Sequence, residues 1–280
     1  MKIHFLKTEW SDMIVLQDGK NFALIDTGFL EQYEQLRDYL LDLGCTGISF
    51  ILNTHFHRDH YGSIPRLVED FKVEKVYLKE YSALDCTTAW GTPADDAYRT
   101  SEMKNFENMK KLVSEKSCYV PVEGVKSVYF GDTELKLFCT ENVIRKIYED
   151  ESNPETFHKI CFSENTNSLC VFFKTNGKNV FLGGDMNDLS QPHPLADRMV
   201  FQAANQINEK IDLYKVPHHA TWHTGLPETL EIFKPAYAVI TNGEEYVSNQ
   251  SDALKNLKTA NPDIRIGFTK EKTIVVDLES

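Results

Sequence analysis

The stretch that decides the fold is Asn53-Thr54-His55-Phe56-His57-Arg58-Asp59-His60, which directly follows the apolar run Ile48-Ser49-Phe50-Ile51-Leu52. Imidazole nitrogens and carboxylate oxygens are ligands that zinc, manganese and iron accept in proteins. A loop at the end of a buried strand can present all four such side chains from one edge of a sheet. The order His-x-His-x-Asp-His lets two of them hold one metal ion and the next two hold another. The alternative interpretation, a solvated polar loop after a buried strand, leaves this density of metal-binding side chains unexplained.

Three other segments carry aspartate or histidine residues directly after apolar strands. They are Phe22-Ala23-Leu24-Ile25-Asp26-Thr27-Gly28, Asn179-Val180-Phe181-Leu182-Gly183-Gly184-Asp185 and Asp212-Leu213-Tyr214-Lys215-Val216-Pro217-His218-His219. Together with the histidine stretch they resemble the signature of the metallo-β-lactamase superfamily, whose members include lactamases, glyoxalase II, ribonuclease Z and the DNA-uptake competence proteins. The resemblance implies a metal-dependent hydrolase in which Asp185 bridges two metal ions and a late histidine completes the second site.

The order of the predicted elements favours an α/β protein with two similar halves. Strands are predicted at residues 3–7, 13–17, 22–26, 48–52, 75–79, 126–130, 134–140, 168–174, 179–184, 212–216, 236–240, 264–268 and 273–277. Helices are predicted at residues 31–43, 59–71, 101–116, 195–209 and 250–259, with a long loop at 81–100. This pattern suits two packed sheets covered by helices on both outer faces. The resemblance implies the same four-layer αββα sandwich, and we expect residues 1–280 to form a single metallo-β-lactamase-like domain.

Composition and charge narrow the class of partner. Hydrophobic residues make up 41% and charged residues 26% of the 280 residues, which is ordinary for a globular protein. The net charge of -12 at pH 7 disfavours a polyanion unless metals and a local basic patch offset it. No apolar run approaches the roughly 20 residues of a membrane span, and the first residues lack the apolar segment of a signal peptide. We therefore expect a cytoplasmic protein with no membrane partner.

One departure from the common superfamily pattern indicates a particular branch. Most members carry a further histidine before the bridging aspartate, but residues 163–169 contain none. Their Asn165-Thr166-Asn167-Ser168-Leu169, with Gly184-Asp185 and His218-His219-Ala220-Thr221, resembles the C-terminal domain of the DNA-uptake competence proteins. Ala220-Thr221 replaces the usual Gly-Ser of that branch, and its late Asn-x-Tyr-x-His-Pro turn appears at residues 242–249 without the histidine. Without the membrane channel of those proteins, DNA import is not implied.

The resemblance implies how the side chains divide between two metal ions. His55, His57 and an Asn or Glu of residues 164–167 would hold the first ion weakly, and Asp59, His60 and His218 would hold the second. Asp59 and Asp185 are the expected catalytic residues. Asp26 is expected to orient the histidine stretch. Further candidates for contacts with the ligands or the substrate are Asn165, Asn167, Ser168, His219 and His223. The alternative is a single-metal enzyme built on Asp59, His60, Asp185 and His218.

The expected chemistry is hydrolysis by a hydroxide held between metal ions roughly 3.5 to 4 Å apart. The resemblance to the competence branch favours a phosphodiester, in a nucleotide or in nucleic acid. Two alternatives stay open, namely hydrolysis of a thioester, lactone or similar small ester, and a member that binds metal without turnover. Zinc is the expected metal, with manganese and iron as alternatives. The sequence leaves open the substrate, the number of metal ions, the oligomeric state and the role of the 81–100 loop.

Overall fold

The computed structural model describes residues 1–82, 96–142, 164–186, 199–221 and 224–279. Within these ranges the strands form two sheets of seven strands each. The first sheet contains β1 (Lys2–Phe5), β2 (Met13–Asp18), β3 (Asn21–Thr27), β4 (Ile48–Leu52), β5 (Val73–Leu78), β6 (Cys118–Pro121) and β14 (Ile274–Asp277). The second contains β7 (Ser127–Phe130), β8 (Thr133–Phe138), β9 (Cys170–Thr175), β10 (Lys178–Leu182), β11 (Leu213–Lys215), β12 (Tyr237–Ile240) and β13 (Arg265–Phe268). Their orders are β14-β1-β2-β3-β4-β5-β6 and β13-β12-β11-β10-β9-β8-β7.

Parallel pairing in each sheet sends several strand ends to one edge. In the first sheet β3, β4 and β5 run parallel, with Leu24 opposite Ile51. In the second, β10, β11 and β12 run parallel, with Phe181 opposite Tyr214. Because parallel strands end on the same side of a sheet, the segments that follow β3, β4, β10, β11 and β12 become neighbours. These are the segments that carry the aspartates and histidines of the sequence motifs.

Successive residues of the central strands are buried on opposite faces. Ile25 and Leu52 point into the layer between the sheets, where they meet Leu182 and Val239 of the second sheet. Leu24 and Ile51, one position earlier, pack instead against the helices outside the first sheet. Strands buried on both faces must be apolar throughout, which explains the unbroken apolar runs of the sequence. Each such Leu or Ile side chain stabilises the fold by roughly 1.5–3 kcal/mol through burial.

Helices cover the outer face of each sheet, which completes the four-layer αββα sandwich. Outside the first sheet lie α1 (Tyr33–Asp42), α2 (Arg58–Tyr61), α3 (Ile64–Asp70) and α4 (Asp96–Lys116). Outside the second lie α5 (Met199–Ile207), α6 (Pro227–Phe233), α7 (Glu244–Gln250) and α8 (Ala253–Ala260). Short 3-10 turns lie at Leu30–Gln32, Glu164–Asn167 and Pro217–Ala220. None of the helices in the described ranges is both long enough and apolar enough to span a membrane.

The predicted fold class is confirmed, and the predicted elements differ from the structure in a few places. The helix predicted at 59–71 is divided into α2 and α3, because Pro65 lacks the N–H that a continuous helix would need. A Cβ at Gly62 would also lie only 2.5 Å from the backbone nitrogen of Leu30. The short elements β6, α6 and α7 were not predicted. Of the loop predicted at 81–100, residues 83–95 lie outside the described residues, and α4 already begins at Asp96.

Candidate metal centre

Asp26 is the next-to-last residue of β3 and contacts the histidine stretch. It is fully buried and adopts a left-handed backbone with φ 57, which aspartate tolerates better than most residues. Its carboxylate accepts hydrogen bonds from the backbone N–H of Thr54 at 2.8 Å, the hydroxyl of Thr54 at 2.6 Å and Nδ1 of His60 at 2.7 Å. Because Nδ1 of His60 is engaged by Asp26, Nε2 is the ring nitrogen that is left to face a metal ion. These contacts tie Thr54 and His60 to Asp26, and its orienting role stays a prediction.

The turn after β11 sets the direction of His219. Residues His218, His219 and Ala220 all have left-handed φ values, of 48, 51 and 59. Nδ1 of His219 lies 2.9 Å from Oγ1 of Thr241, and that hydroxyl donates to Oδ1 of Asp12 at 2.7 Å. Thr241 must therefore accept the Nδ1 proton of His219, which again leaves Nε2 as the nitrogen that can face a metal ion. Nδ1 of each histidine is thus held by its own buried aspartate. Asp26 contacts His60 directly, and Asp12 acts on His219 through the hydroxyl of Thr241.

The position of Asp185 depends on two preceding glycines. Gly183 has no space for a side chain, because a Cβ there would lie 2.4 Å from Cγ of Pro217. Gly184 has a left-handed φ of 53. The backbone N–H of Asp185 then donates to the hydroxyl of Ser168 at 3.2 Å. This close packing holds the end of β10 against the turn that carries His219, which brings Asp185 to the edge where both sheets meet.

Four ligand atoms converge at this edge: Nε2 of His60, Nε2 of His219, Oδ2 of Asp59 and Oδ2 of Asp185. His60 Nε2 lies 3.2 Å from Asp59 and 3.1 Å from Asp185, and His219 Nε2 lies 3.2 Å from each. A tetrahedral ion with ligands at about 2.0–2.1 Å separates its ligand atoms by roughly 3.3 Å. The nitrogen-to-oxygen distances of the four residues therefore fit one divalent ion. Nε2 of His60 is buried without a well-oriented hydrogen-bond partner among the described residues, as a ligand atom would be.

The electrostatics of this group favour a positive charge at its centre. Burial alone would lower the pKa of His60, but Asp185, Asp59 and Asp26 outweigh burial and hold this pKa well above its usual value. Burial also opposes the shift at His219, where Asp185, Asp12 and Asp59 raise the pKa to about 10. Burial would raise the pKa of Asp185, yet His219 and His60 hold it well below the usual range. The carboxylates thus stay ionised in a buried place, which a cation satisfies.

A buried lysine lies directly behind the four ligand atoms. The ammonium of Lys215, the last residue of β11, forms an ion pair with Asp12 and lies 3.6 Å from Oδ1 of Asp185. It also donates to the carbonyl oxygen of Gly184 at 2.8 Å. Burial would lower the pKa of Lys215, but Asp12 and Asp185 raise it, so the side chain stays charged. Lys215 therefore ties Asp12, which supports His219, to the segment that carries Asp185.

His55 and His57 form a second pair beside this group. Nδ1 of His55 lies 3.1 Å from the Thr54 hydroxyl, which directs Nε2 of His55 toward Nδ1 of His57 at 3.0 Å. Burial lowers the pKa of His55 well below its usual value. Among the described residues, no third histidine, cysteine or acidic side chain joins this pair in a compact metal-ligand group. The pair therefore has the donor atoms for a metal ion but fewer of them than the neighbouring group.

The remaining predicted residues take different places. His218 Nε2 accepts from the Asn165 side chain at 3.0 Å, and its Nδ1 lies 3.0 Å from the Thr221 hydroxyl. It is therefore His219 rather than His218 that the structure brings together with Asp59, His60 and Asp185. Asn167 donates to the carbonyl of Glu80 and to Glu164, at 3.0 and 2.9 Å, which are contacts within the fold. His223 lies outside the described residues.

Sequence reasoning did not single out Asp12, Lys215 or Thr241. A signal for Lys215 was present, because a lysine in the middle of Leu213-Tyr214-Lys215-Val216 interrupts an otherwise buried strand. A fully buried lysine is almost always paired with a polar or acidic group. Asp12 and Thr241 gave weaker signals, as single polar residues flanking the apolar strands β2 and β12.

Comparisons with known proteins concern the fold and one segment of the chain. Residues 11–142 match the family model described as "Metallo-beta-lactamase superfamily". Among solved structures, the metallo-beta-lactamase fold protein YhfI from Bacillus subtilis is 9% identical, with a TM-score of 0.57 over 99% of this chain and 100% of that one. The short form of human tRNase Z is 14% identical, with a TM-score of 0.49 over 99% of each chain. BJP-1, a subclass B3 metallo-beta-lactamase of Bradyrhizobium japonicum, is 17% identical, with a TM-score of 0.42 over 75% of each chain.

No curated protein matches the sequence. The structural likeness at 9% identity concerns the fold, and the family model covers the part of the chain that carries Asp26 and the histidine stretch. The chain therefore shares its αββα fold with the YhfI protein, and its residues 11–142 match the metallo-β-lactamase superfamily model.

Proposed function

We propose that this protein is a metal-dependent hydrolase that cleaves a phosphodiester bond at the Asp59–His60–Asp185–His219 group. The observation that carries the proposal is the convergence of these four side chains, with nitrogen-to-oxygen distances of 3.1–3.2 Å between histidine and aspartate atoms. These residues would hold one divalent ion, and zinc suits two imidazoles and two carboxylates in a tetrahedral frame. When bound, such an ion polarises the attacked group and lowers the pKa of water toward neutrality.

The four side chains have unequal access to solvent, which suggests different roles. The side chain of Asp59 is 20% exposed, whereas those of His60, Asp185 and His219 are at most 3% exposed. Water and substrate therefore approach from the side of Asp59, and we assign to its carboxylate the orientation of the attacking water. Asp185, fixed by Ser168 and Lys215, supplies negative charge from the protein side. His60 and His219 have their Nδ1 protons fixed by hydrogen bonds, so each would offer Nε2 to the ion and release its Nε2 proton on binding.

The proposal favours one well-held metal ion over two. His219 takes the place that the sequence reasoning gave to His218 in the single-metal alternative. His55 and His57 would bind a second ion more weakly, because no third histidine, cysteine or acidic residue of the described chain completes their group. We propose a cytoplasmic location on separate grounds, since none of the four described cysteines, among them the buried Cys45, forms a disulfide bond. Reducing compartments keep cysteines in this state.

A phosphodiester is the proposed substrate because of the resemblance to the competence branch at Asn165-Thr166-Asn167-Ser168-Leu169 and His218-His219. Asn165 and His218 contact each other at 3.0 Å, so the two segments of that resemblance meet beside the four ligands. Hydrolysis of a small thioester or lactone is the alternative that the acidic surface allows, given a net charge of -12. Binding of metal without turnover is the third.

The test is a metal analysis combined with a substrate panel. Protein purified without chelators should contain zinc or another divalent metal, and should hydrolyse bis(p-nitrophenyl) phosphate or single-stranded DNA after zinc or manganese addition. His60→Ala and Asp185→Ala should abolish both metal binding and activity while the circular dichroism spectrum stays unchanged. His4→Gln is the matched control, because His4 is a buried histidine that hydrogen-bonds Tyr39 and Gln17 away from the metal ligands. Turnover of thioesters alone would refute the phosphodiester assignment, and metal binding without any turnover would refute the enzyme assignment.

A further inference from the structure

An aromatic pair stands beside the candidate metal centre and has no part in holding the metal. Trp10 lies in the loop between β1 and β2, and its ring centroid is 6.4 Å from that of His219. Tyr246 of α7 contacts the same indole in an edge arrangement, with centroids 4.1 Å apart. Both side chains are half-buried, so each keeps a surface that solvent reaches. The two rings come from opposite ends of the sequence and meet only at this edge of the sandwich.

The backbone of Trp10 is held in a conformation that a bulky residue rarely adopts. Its φ is 63, in the left-handed region where glycine or asparagine is usual. The strain is offset by hydrogen bonds on both sides, from Thr8 N–H to the Thr269 carbonyl and from Trp10 N–H to the Thr241 carbonyl, each 3.2 Å. A tryptophan kept in such a conformation indicates that the position of its ring matters, since a smaller residue would fit the turn better.

The loop that carries Trp10 is also tied to the metal ligands themselves. Two residues later, Asp12 donates its backbone N–H to the Asp59 carbonyl at 3.1 Å, and Asp12 supports His219 through Thr241. Gln32 donates to the Thr8 hydroxyl at 2.9 Å and accepts from Ser11 at 2.8 Å, which closes the base of the loop. The indole of Trp10 is therefore fixed relative to Asp59, the ligand on the solvent side.

Charges around the aromatic pair decide what kind of group it can bind. Glu244 and Glu245 are exposed in the first turn of α7, next to Tyr246, and Glu9 precedes Trp10. Lys270 is a nearby cation, and it is paired with Glu9 at 2.7 Å. A polyanionic strand running across this surface would meet several carboxylates, which costs affinity. A neutral planar ring avoids that repulsion and stacks on aromatic side chains whatever its detailed structure.

We propose that Trp10 and Tyr246 form an aromatic subsite that binds the base of a nucleoside whose phosphodiester lies at the metal centre. The inference rests on the proposed function and narrows it, because it favours a mononucleotide or dinucleotide ester over a long nucleic acid. The ring at this subsite contributes binding energy at a place remote from the attacked phosphorus, and so positions the ester near Asp59. Trp10 and Tyr246 are specificity-determining residues in this assignment, since neither contacts the proposed metal.

The first experiment measures binding without turnover. The chain has three tryptophans, so the W90F/W222F variant leaves Trp10 as the sole indole. Titration of its zinc-loaded form with adenosine 5′-monophosphate should quench the fluorescence, at concentrations about tenfold lower than those at which ribose 5-phosphate binds in calorimetry. In the wild-type background, Trp10→Gly should remove that preference, since glycine accepts the left-handed φ and only the ring is lost. Trp10→Phe should retain most of it. Equal affinities for the two ligands, or an unchanged preference in Trp10→Gly, would overturn the subsite.

The second experiment measures selectivity in turnover. Two esters with the same leaving group, thymidine 5′-(p-nitrophenyl phosphate) and methyl p-nitrophenyl phosphate, differ in the presence of a base. Trp10→Gly and Tyr246→Leu should each lower kcat/KM for the thymidine ester about tenfold, mainly through KM, and leave the methyl ester within about twofold. Tyr129→Ala is the control, because Tyr129 is 64% exposed on β7 at the far edge of the second sheet. Equal losses for both esters would overturn the assignment to a base.

The two experiments separate the subsite from the proposed function. If neither ester is hydrolysed by the metal-loaded wild type, the phosphodiesterase proposal fails. The fluorescence and calorimetric titrations then still decide whether the aromatic pair binds a base, because they need no turnover. If both esters are hydrolysed and adenosine monophosphate binds no better than ribose phosphate, the hydrolase proposal stands and the aromatic subsite is refuted.

Discussion

His60 and His219 contact the same carboxylate oxygen, Oδ2 of Asp185, at 3.1 and 3.2 Å, although they come from different sheets. Neighbouring His218 turns instead to Asn165. We therefore expect His219→Ala to weaken zinc binding by more than about 100-fold, since loss of a supporting partner alone costs roughly 10–100-fold. His218→Ala, the matched control, should lose less than about tenfold. Competition with a chromophoric chelator measures both, and the reverse ranking would assign the ligand role to His218.

The support of His60 by Asp26 gives a second expectation. In Asp26→Asn the side-chain volume and the left-handed backbone are retained, because asparagine tolerates the φ of 57. The carboxylate that accepts from Thr54 and His60 is lost, however, so the imidazole is no longer held in the tautomer that frees Nε2. Zinc affinity should fall by about 10–100-fold. Asp18→Asn in the β2–β3 hairpin is a control that should leave it unchanged. Undiminished affinity in Asp26→Asn would remove Asp26 from the orienting role.

Substitution of Lys215 tests how much its buried ion pairs contribute to the free energy of unfolding. Lys215→Met leaves Asp12 and Asp185 buried without their ammonium partner, which costs about 3–5 kcal/mol of unfolding free energy. The double variant Asp12→Asn/Lys215→Met should recover part of that loss, because one of the uncompensated carboxylates is then neutral. Urea denaturation of the metal-free protein measures the two single variants, Lys215→Met and Asp12→Asn, and the double variant. Additive effects of the two substitutions would mean that Asp12 and Lys215 do not interact.

The buried Lys79 predicts how the free energy of unfolding depends on pH. Burial lowers the pKa of Lys79 to about 8 from its ordinary 10.5, and its ammonium donates to the carbonyls of Cys139 and Glu141. Between these pH values the unfolded chain binds more protons than the folded one. Lys79 therefore increases the free energy of unfolding as pH rises. Its contribution should increase by up to about 1.4 kcal/mol per pH unit from pH 8 to 10.5.

The measurement for Lys79 is a difference between variants. The difference in unfolding free energy between the wild type and Lys79→Met should rise from pH 8 to 10. Taking this difference cancels the titration of the tyrosines and cysteines that both proteins share. The exposed Lys20→Met serves as control and should show a constant difference. A constant difference for Lys79→Met as well would show that Lys79 titrates near its ordinary pKa.

Gly183 tests the close packing of the two strand ends. A Cβ at this position would lie 2.4 Å from Cγ of Pro217, so Gly183→Ala should push the Asp185 segment away from the His219 turn. We expect a loss of about 1–3 kcal/mol in stability and weaker zinc binding. Gly47→Ala is the control, since its Cβ would meet nothing closer than 3.4 Å and should change stability by less than about 0.5 kcal/mol. Unaltered stability and metal binding in Gly183→Ala would show that the contact is not needed.

Much of the fold could be predicted because its strands are buried on both faces. Ile48–Leu52 and Lys178–Leu182 form strands close to where their apolar runs predict them. The helix break at Pro65 also had a visible cause, although the apolar pattern predicted one helix over residues 59–71. The short helices α6 and α7 carry too few turns for a clear apolar period.

The candidate site was only partly predictable, because its details depend on backbone geometry and on long-range partners. Asp59, His60 and Asp185 follow strands directly, and the structure brings them together. The choice between His218 and His219 depends on three consecutive left-handed residues, none of which is glycine, so the sequence carries no mark of that turn. Asp12 and Lys215 are 203 positions apart by their numbering, and their ion pair appears only when both sheets are in place.

Asp59 and His219 are separated by 160 residues and lie in segments that follow strands of different sheets. A metal ion bound by Asp59 and His219 would crosslink the two halves of the sandwich. Neither half alone could bind the ion with the same affinity. Metal binding to the native state alone stabilises it by RT ln(1 + [M]/Kd), or about 2.7 kcal/mol at a hundredfold excess over Kd. The amount of free metal in the cell would then set how long this protein survives proteolysis, apart from any effect on its catalysis.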